Sequence, residues 1–158
     1  MCGAWAEAPR VLPPPEGVSL RPLDAGDGEA LGRLLWLAFA GSVDDGYPSL
    51  DEARKDARHA LRGGWGALVG PGCLAALCGG ELVGATVVAA GAGTPSRPAW
   101  LLYLAVQPAH QGRGIATALL GATIAGLVAA GQPALCLSVT AGNPAVGLYR
   151  RFGLHPLE

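Results

Sequence analysis

Apolar residues recur along this chain with two different spacings. Alternating apolar and polar residues, and short apolar runs bounded by glycine or proline, are typical of strands, whereas apolar residues at three- and four-residue steps are typical of helices. Strands are predicted over 18–23, 73–78, 81–90, 99–106 and 134–140. Helices are predicted over 28–40, 50–62, 112–130 and 145–152. This order of elements predicts an α/β domain in which helices pack on a central sheet.

The first 17 residues differ from the rest of the chain. Pro9 and the run Pro13–Pro15 lie within them, and proline can neither donate to a strand nor continue a helix. We therefore predict a flexible, proline-rich tail over 1–17 and a single folded domain over 18–158. A chain of 158 residues is large enough for one continuous core. A loop is expected over 91–98, where glycine, proline, serine and threonine are frequent.

The charge of the chain limits its classes of partner. The formal net charge is −1, so neither nucleic acid nor an anionic membrane surface is an expected partner. Acidic residues are concentrated in the first part of the chain, and several lie between Asp44 and Asp56. Acids in this segment either attract a cationic ligand or form a solvated helix face that nearby arginines and Lys55 balance.

Four cysteines occur in the chain, at positions 2, 73, 78 and 136. They form no CxxC pattern, and no histidine stands at metal-ligand spacing from them, so no metal is expected. The simplest expectation is that they are reduced and mostly buried thiols. The start of the chain lacks the features of a signal peptide, and no apolar run suits a membrane span, so we expect a cytoplasmic protein.

The most informative stretch is Leu101–Leu120, in which a strand, a glycine loop and a helix follow one another. Pro108 ends the strand, because proline has no amide to offer a neighbouring strand. Gly112 and Gly114 flank Arg113 where the helix begins. The first amides of a helix have no partner inside the helix and bind anions well. With the fixed charge of Arg113 beside them, we expect this loop to bind a pyrophosphate.

Two segments resemble motifs of the GCN5-related N-acetyltransferase (GNAT) family. The hexapeptide Gln111–Ala116 fits the pattern Q/R-x-x-G-x-G/A of the family's coenzyme A loop, and the preceding Leu104–Pro108 is similar to its L-x-V-x-P strand. The segment Asn143–Leu154 is similar to the pattern N-x-x-A-x-x-L-Y-x-x-x-G-F, with the alanine displaced by one position or replaced by Gly147. The two motifs occur in the order found in the family, with a predicted strand between them.

The resemblance implies a GNAT (acyl-CoA N-acyltransferase) fold, an α/β fold in which helices flank a mixed central sheet, here without its last C-terminal strands. It also implies acetyl-CoA as co-substrate, held in a gap where the fourth and fifth strands separate. Asn143 either contacts the pantetheine arm or bonds a backbone group at its own turn. The residues that the resemblance assigns to cofactor binding are Leu104, Ala105, Val106, Gln111, Gly112, Arg113, Gly114, Ile115, Ala116 and Asn143.

The activity that the resemblance implies is transfer of an acetyl group from acetyl-CoA to a primary amine, by direct attack in a ternary complex. The acceptor would be a small molecule or a peptide amine. The amide of Val106 would stabilise the oxyanion. Tyr149 is either the catalytic acid that protonates the leaving thiolate or a packed aromatic residue. The candidates for the general base stay open: Tyr103, His110, an acid between Asp44 and Asp56, or water.

Few residues follow the second motif, whereas the family continues with two more strands. The last predicted strand would then have an open edge, and open edges invite pairing. Either a second subunit in a homodimer covers this edge, or the N-terminal tail does, or the protein is an impaired copy that binds acyl-CoA in a regulatory role. A dinucleotide-binding domain is a weaker alternative, because Thr117 replaces the last glycine of the pattern G-x-G-x-x-G.

Overall fold

A computed structural model describes residues 1–91 and 97–157 of the chain. Over those residues it contains six strands: β1 Cys2–Ala4, β2 Val18–Pro22, β3 Leu74–Cys78, β4 Glu81–Ala89, β5 Ala99–Val106 and β6 Ala134–Cys136. The α-helices are α1 Gly28–Phe39, α2 Leu50–Leu61, α3 Ile115–Ala129 and α4 Val146–Arg151. Short 3₁₀ turns occur at Ala25–Asp27, Gly70–Gly72 and Pro108–His110. The loop predicted over 91–98 lies mostly outside the described residues.

The strands form one mixed sheet with the spatial order β1-β6-β5-β4-β3-β2. Neighbouring strands are antiparallel except β5 and β6, which run parallel. Gly79 and Gly80 join β3 to β4 in a tight turn, and both have positive φ angles, of 58° and 78°. The predicted architecture, with helices on a mixed central sheet, is confirmed.

The helices cover both faces of the sheet. Neighbouring residues on a strand point to opposite faces, so the contacts of two such residues show which helix lies on which face. The hydroxyl oxygens of Thr86 on β4 and Thr123 on α3 lie 2.8 Å apart, so α3 packs on the face of Thr86. The next residue, Val87, pairs with Tyr103 of β5. The Tyr103 hydroxyl donates to Asp56 of α2, so α2 and the α1 helix packed against it lie on the other face.

Two features hold α3 close to the sheet. Thr86 and Thr123 are fully buried, and both hydroxyls also bond the Gly72 carbonyl, at 3.0 and 3.3 Å, so neither is left unsatisfied. Nearer the start of α3, a Cβ added at Gly84 would lie only 3.1 Å from the side chain of Ile115. Glycine at this position therefore lets the first turns of α3 lie directly on β4.

The N-terminal segment forms more regular structure than the sequence predicted. Cys2–Ala4 is a strand antiparallel to β6, and the Trp5 amide donates to the Pro133 carbonyl at 2.9 Å. The prediction that 1–17 lacks regular structure is wrong for this part, because its prolines begin only at Pro9 and leave the preceding residues free to pair. Of the three alternatives for the open edge of the last strand, the structure shows the N-terminal tail covering it. The domain boundary at residue 17 stays a prediction.

Cys2 and Cys136 form a disulfide, so the prediction of reduced thiols is wrong for these two residues. The register of β1 and β6 sets them directly opposite each other, although 134 residues separate them in the sequence. Cys73 and Cys78 are free thiols, and Cys73 is buried. The expectation of a cytoplasmic protein stays a prediction, and a disulfide gives it no support, because disulfides are rare in the cytosol.

Loss of the disulfide is expected to lower stability. A link between residues far apart in sequence restricts the unfolded chain, and such links typically contribute about 2–4 kcal/mol to the free energy of unfolding. In urea denaturation, Cys136→Ser and the reduced wild type should both lose about this amount. Cys78→Ser changes a free cysteine that is only partly buried, and it should leave the free energy of unfolding close to that of the wild type.

Thiol titration of the unfolded protein provides the control for this prediction. Without reductant, the titration should detect only Cys73 and Cys78. Detection of all four cysteines, together with no effect of reductant on the urea midpoint, would contradict the disulfide.

Candidate active site

The strands β5 and β6 pair at only two positions, Ala99 with Leu135 and Trp100 with Cys136. The prediction of a strand over 134–140 is therefore too long, since the residues after Cys136 no longer pair with β5. A cavity of about 1080 Å³ lies where the two chain segments separate. This is the gap that the family resemblance implies.

Three segments form the walls of the cavity. One wall is β5 from 101 to 106, the second consists of parts of 137–149 leading into α4, and the third is the end of α1 with the following loop, within 38–47. Gln111 and Ala116, at the start of α3, also line the cavity. The cavity thus extends from the start of α3 to the loop between α1 and α2.

An extra residue interrupts β5 in the middle of its wall. Tyr103 is opposite Val87 and Leu101 is opposite Val88, so Leu102 has no partner on β4. A bulge of this kind bends a strand and changes the direction of the side chains beside it. It lies at the beginning of the part of β5 that borders the cavity, two residues after Trp100, the last residue that pairs with β6.

Two residues of β5 direct their backbone groups toward the cavity. The Gln107 amide donates to the Val83 carbonyl at 2.8 Å. In an antiparallel ladder this bond means that the pair between them, Val106 and Gly84, exchanges no hydrogen bonds. The N–H and C=O groups of Val106 therefore point away from β4. Leu104, two residues earlier, has the same orientation, whereas the backbone groups of Ala105 face β4. Ala105 lines the cavity without offering it a free backbone group.

Gln111 uses its side chain inside the protein. Its Nε2 atom donates to the Val106 carbonyl at 3.0 Å. This hydrogen bond joins the loop before α3 to the end of β5 and leaves the Val106 amide as the free group at that position. Gln111 therefore positions the two parts of the site relative to each other.

The start of α3 offers a row of free amides. Gly112 and Gly114 have positive φ angles of 75° and 89°, which favour glycine, and the helix therefore begins at Ile115 instead of residue 112 as predicted. The Ala118 amide donates to the Gly114 carbonyl at 3.0 Å. Within the part of the chain that the structure describes, the amides of 112–117 donate to no protein acceptor, and no side chain caps the helix. This arrangement suits an anion.

The side chains of the last two hexapeptide residues have different surroundings. Ile115 is 1% exposed and packs in the core between α3 and the sheet, so only its amide can face a ligand. Ala116 lines the cavity with a small side chain and leaves space there.

Arg113 is exposed beside these amides. It donates from Nη1 to Nδ1 of His110 at 3.0 Å and from Nη2 to the Glu16 carbonyl at 3.3 Å. Neither partner is a carboxylate, so the charge of Arg113 adds to the positive end of α3. His110, one of the candidates for the general base, is thereby placed next to Arg113 and the free amides.

Tyr149 of α4 lies on the wall opposite β5. It is 7% exposed, packs in the main core and also lines the cavity. Burial, and then the charge of Asp44, raises the pKa of Tyr149 to about 12. The phenol therefore keeps its proton at neutral pH. Tyr149 is thus packed in the core and also lies at the cavity, and its role as the catalytic acid stays a prediction.

Asn143 and Asp44 join two walls of the cavity. Asn143 accepts from the Ala145 amide at 2.8 Å through Oδ1, and its Nδ2 donates to Asp44. The Thr140 hydroxyl also donates to Asp44. The side chain of Asn143 is therefore used at its own turn, and Asp44 ties the loop after α1 to the segment before α4.

A second carboxylate, that of Asp56, lies behind the cavity wall. Tyr47 and Trp65 donate to Asp56 at 2.6 and 2.9 Å, and Tyr103 donates to it as well. Tyr103 and the acids from Asp44 to Asp56 are separate candidates for the general base in the sequence, and the fold brings Tyr103 and Asp56 together. A signal was present, because α2 buries alanines three residues before Asp56 and four residues after it, which places Asp56 near the inner face of the helix.

Over 1–91 and 97–157, no group of three or more His, Cys, Asp or Glu side chains could hold a metal ion. In the same two ranges, every helix is too short or too polar to cross a bilayer.

The fold is similar to that of several solved acetyltransferases. A GCN5-related N-acetyltransferase from Sphaerobacter thermophilus is 24% identical with a TM-score of 0.76, and the match covers 98% of this chain but 46% of that one. This chain thus spans about half the length of that relative. A ribosomal-protein-alanine N-acetyltransferase from Brucella melitensis biovar Abortus 2308 is 22% identical with a TM-score of 0.65, covering 88% of this chain and 92% of that one.

A third similar structure is a GNAT family acetyltransferase from Brucella melitensis in complex with acetyl-CoA. It is 26% identical with a TM-score of 0.64, and the match covers 88% of this chain and 83% of that one. No curated protein sequence matches the chain. The model of the Acetyltransferase (GNAT) family matches residues 30–154, which include the cavity walls and the start of α3. The chain therefore belongs to the GNAT acetyltransferase family.

Proposed function

We propose that the chain transfers an acetyl group from acetyl-CoA to a primary amine, by direct attack of the amine in a ternary complex. The observation that carries this proposal is that one cavity reaches from the start of α3, where the amides of 112–117 are free, to the free amide of Val106. Acetyl-CoA carries a diphosphate at one position and a thioester at another. The amides at the start of α3 suit the diphosphate, and the amide of Val106 suits the thioester carbonyl. The Brucella melitensis relative in complex with acetyl-CoA supports the same co-substrate.

The residues at the start of α3 fit a diphosphate. The amides of 112–117 are donors without protein acceptors, and the guanidinium of Arg113 adds a positive charge. A Cβ at Gly112 or Gly114 would meet no heavy atom within 4 Å, so the space beside the loop is open to a ligand. Leu104 offers a second free backbone amide on the same wall of the cavity.

The residues at the other end suit acyl transfer from a thioester. The amine nitrogen forms a bond to the carbonyl carbon, and the Val106 amide donates to the oxygen as that atom becomes negative. The carbon–sulfur bond then breaks, and the Tyr149 hydroxyl donates a proton to the sulfur. The nitrogen loses its surplus proton to solvent, from which Tyr149 regains its own.

The positions of the cysteines support direct transfer without a covalent enzyme intermediate. None of the four cysteines is among the residues that line the cavity. Burial raises the pKa of Cys73, which disfavours its reactive thiolate form. Cys2 and Cys136 are held in the disulfide.

Release of free coenzyme A thiol from acetyl-CoA, measured with a panel of primary amines, tests this proposal. The wild type is expected to release thiol only when an amine is present and to form the N-acetylated amine, which mass spectrometry identifies. Binding of acetyl-CoA without transfer to any amine would instead support a GNAT-like module with a regulatory role. Absence of acetyl-CoA binding would contradict both functions.

Tyr149→Phe removes the hydroxyl and keeps the packed ring. A general acid typically contributes 10²–10⁴-fold, so kcat is expected to fall about 100-fold while the KM for acetyl-CoA changes little. Steady-state kinetics measures both constants, and the melting temperature checks that the variant is folded. A decrease in kcat of less than about 3-fold would show that Tyr149 serves packing alone.

Gly114→Ala is expected to weaken coenzyme A binding, in addition to a small loss of stability. Its φ of 89° is unfavourable for alanine, which costs about 1–2 kcal/mol, and relief of that strain would turn the first amides of α3 away from the diphosphate. Gly80→Ala is the matched control, because Gly80 has a φ of 78° and open space around it in the β3–β4 turn. Equilibrium dialysis should show weaker binding for Gly114→Ala only. Equal affinities in the two variants would contradict the placement of the diphosphate.

A further inference from the structure

Two tyrosine hydroxyls and one carboxylate form a compact group beside the cavity. Tyr47, from the loop between α1 and α2, and Tyr103, from β5, both line the cavity. Their hydroxyls donate to the same oxygen of Asp56, Oδ2, while Trp65 donates to Oδ1 at 2.9 Å. Asp56 itself is not among the lining residues, so it acts on the cavity through the two tyrosines.

The two hydroxyls can only accept hydrogen bonds from a ligand. Each phenol has a single hydrogen, which it already donates to Asp56, and its oxygen keeps free lone pairs. Burial, and then Asp56, raises the pKa of Tyr47 and of Tyr103, so both keep that hydrogen. This part of the wall therefore presents two acceptor oxygens.

The carboxylate behind them has no ion-pair partner among the described residues. The other two acids of α2 are paired, Asp51 with Arg54 at 3.5 Å and Glu52 with Lys55 at 2.8 Å. The donors to Asp56 are the neutral side chains of two tyrosines and a tryptophan. The negative charge of Asp56 is therefore uncompensated beside the cavity.

Asp44 adds to the negative potential in a different way. Both of its carboxylate oxygens are bound by neutral donors, the Thr140 hydroxyl and the Asn143 amide. These bonds hold two walls together, and Asp44 itself also lines the cavity. Each of its oxygens keeps lone pairs beyond the one bond, so Asp44 adds acceptor atoms to those of the tyrosine pair.

We propose that Tyr47, Tyr103 and Asp56 bind an ammonium group of the acceptor, and that the acceptor is a molecule with at least two amino groups. This proposal rests on the acetyl transfer proposed above. An ammonium group presents only N–H donors, which match two acceptor oxygens, and Asp56 supplies the opposite charge. An anionic group at this position would be repelled by Asp56, and a neutral donor would gain no attraction between opposite charges.

The ammonium group bound here is distinct from the amine that is acetylated. An amine attacks with its lone pair, so the reacting nitrogen must be neutral, whereas a site of this charge favours the protonated form of any amine that it binds. Tyr103 lies three residues before Val106 on β5, which is about 10 Å along the strand. One amino group can therefore be held at the tyrosines while a second reaches the acyl carbon.

Matched pairs of acceptors test this proposal in the wild type. Each diamine is compared with the monoamine of the same length: 1,5-diaminopentane with 1-aminopentane, and 1,8-diaminooctane with 1-aminooctane. We expect kcat/KM to be at least about 10-fold higher for the better diamine than for its monoamine, as for hydrogen bonds to a charged group. We also expect the KM for the diamine to rise with added salt, because salt screens the attraction to Asp56.

Variants of the acidic residues then identify the source of the preference. In Asp56→Asn, the diamine-to-monoamine ratio should fall below about 3 and the salt dependence of KM should be lost. Asp51→Asn, on the exposed side of the same helix, should keep the wild-type ratio. Tyr103→Phe should lower the ratio while Asp56 keeps its charge. The ratio compares two substrates in one preparation, so a partial loss of folded protein does not change it.

Two results would overturn this proposal alone: a wild type that acetylates monoamines as well as diamines, or an Asp56→Asn variant that keeps the wild-type ratio. A wild type that binds acetyl-CoA but acetylates no amine would instead contradict the proposed function, and this proposal with it.

Discussion

The candidate site depends on the early end of pairing between β5 and β6. Backbone N–H and C=O groups inside a sheet need partners, and a parallel pair that stops after Trp100 and Cys136 leaves the next backbone groups of β5 without them. The Leu102 bulge lies where the two segments separate. Gln111 donates to the Val106 carbonyl, so the amide is the free backbone group of Val106. A longer β6 beside β5 would fill the cavity and use this amide within the sheet.

The same separation requires support for β6 from its other side, and the N-terminal segment provides it. Met1 and Leu137 exchange two hydrogen bonds, both of 2.8 Å, beyond the end of β6, and the disulfide links the same two segments.

The cavity between β5 and the segment after β6 has ends of opposite charge. Free amides and Arg113 lie at the start of α3, whereas Asp44 and Asp56 lie on the side of α1 and α2. An anionic donor and a cationic acceptor fit these two ends.

Sequence patterns predicted the parts of the site that are contiguous in the chain. The apolar run over 99–106 has the bounds of β5, and the glycine loop lies directly before α3. The contacts that the sequence did not predict join distant residues, such as Cys2 with Cys136 and Asp56 with Tyr103. β1 has only 3 residues, so tertiary packing and not local propensity decides that it pairs. The strand over 134–140 was too long for a similar reason, since its apolar residues after Cys136 line the cavity instead of pairing with β5.

A crystal structure of the chain with bound acetyl-CoA measures the central claim most directly. The pyrophosphate oxygens should accept hydrogen bonds from the amides of 112–117, and the thioester oxygen should lie about 3 Å from the Val106 nitrogen. Acetyl-CoA bound outside the cavity, or with its pyrophosphate away from the start of α3, would contradict the claim.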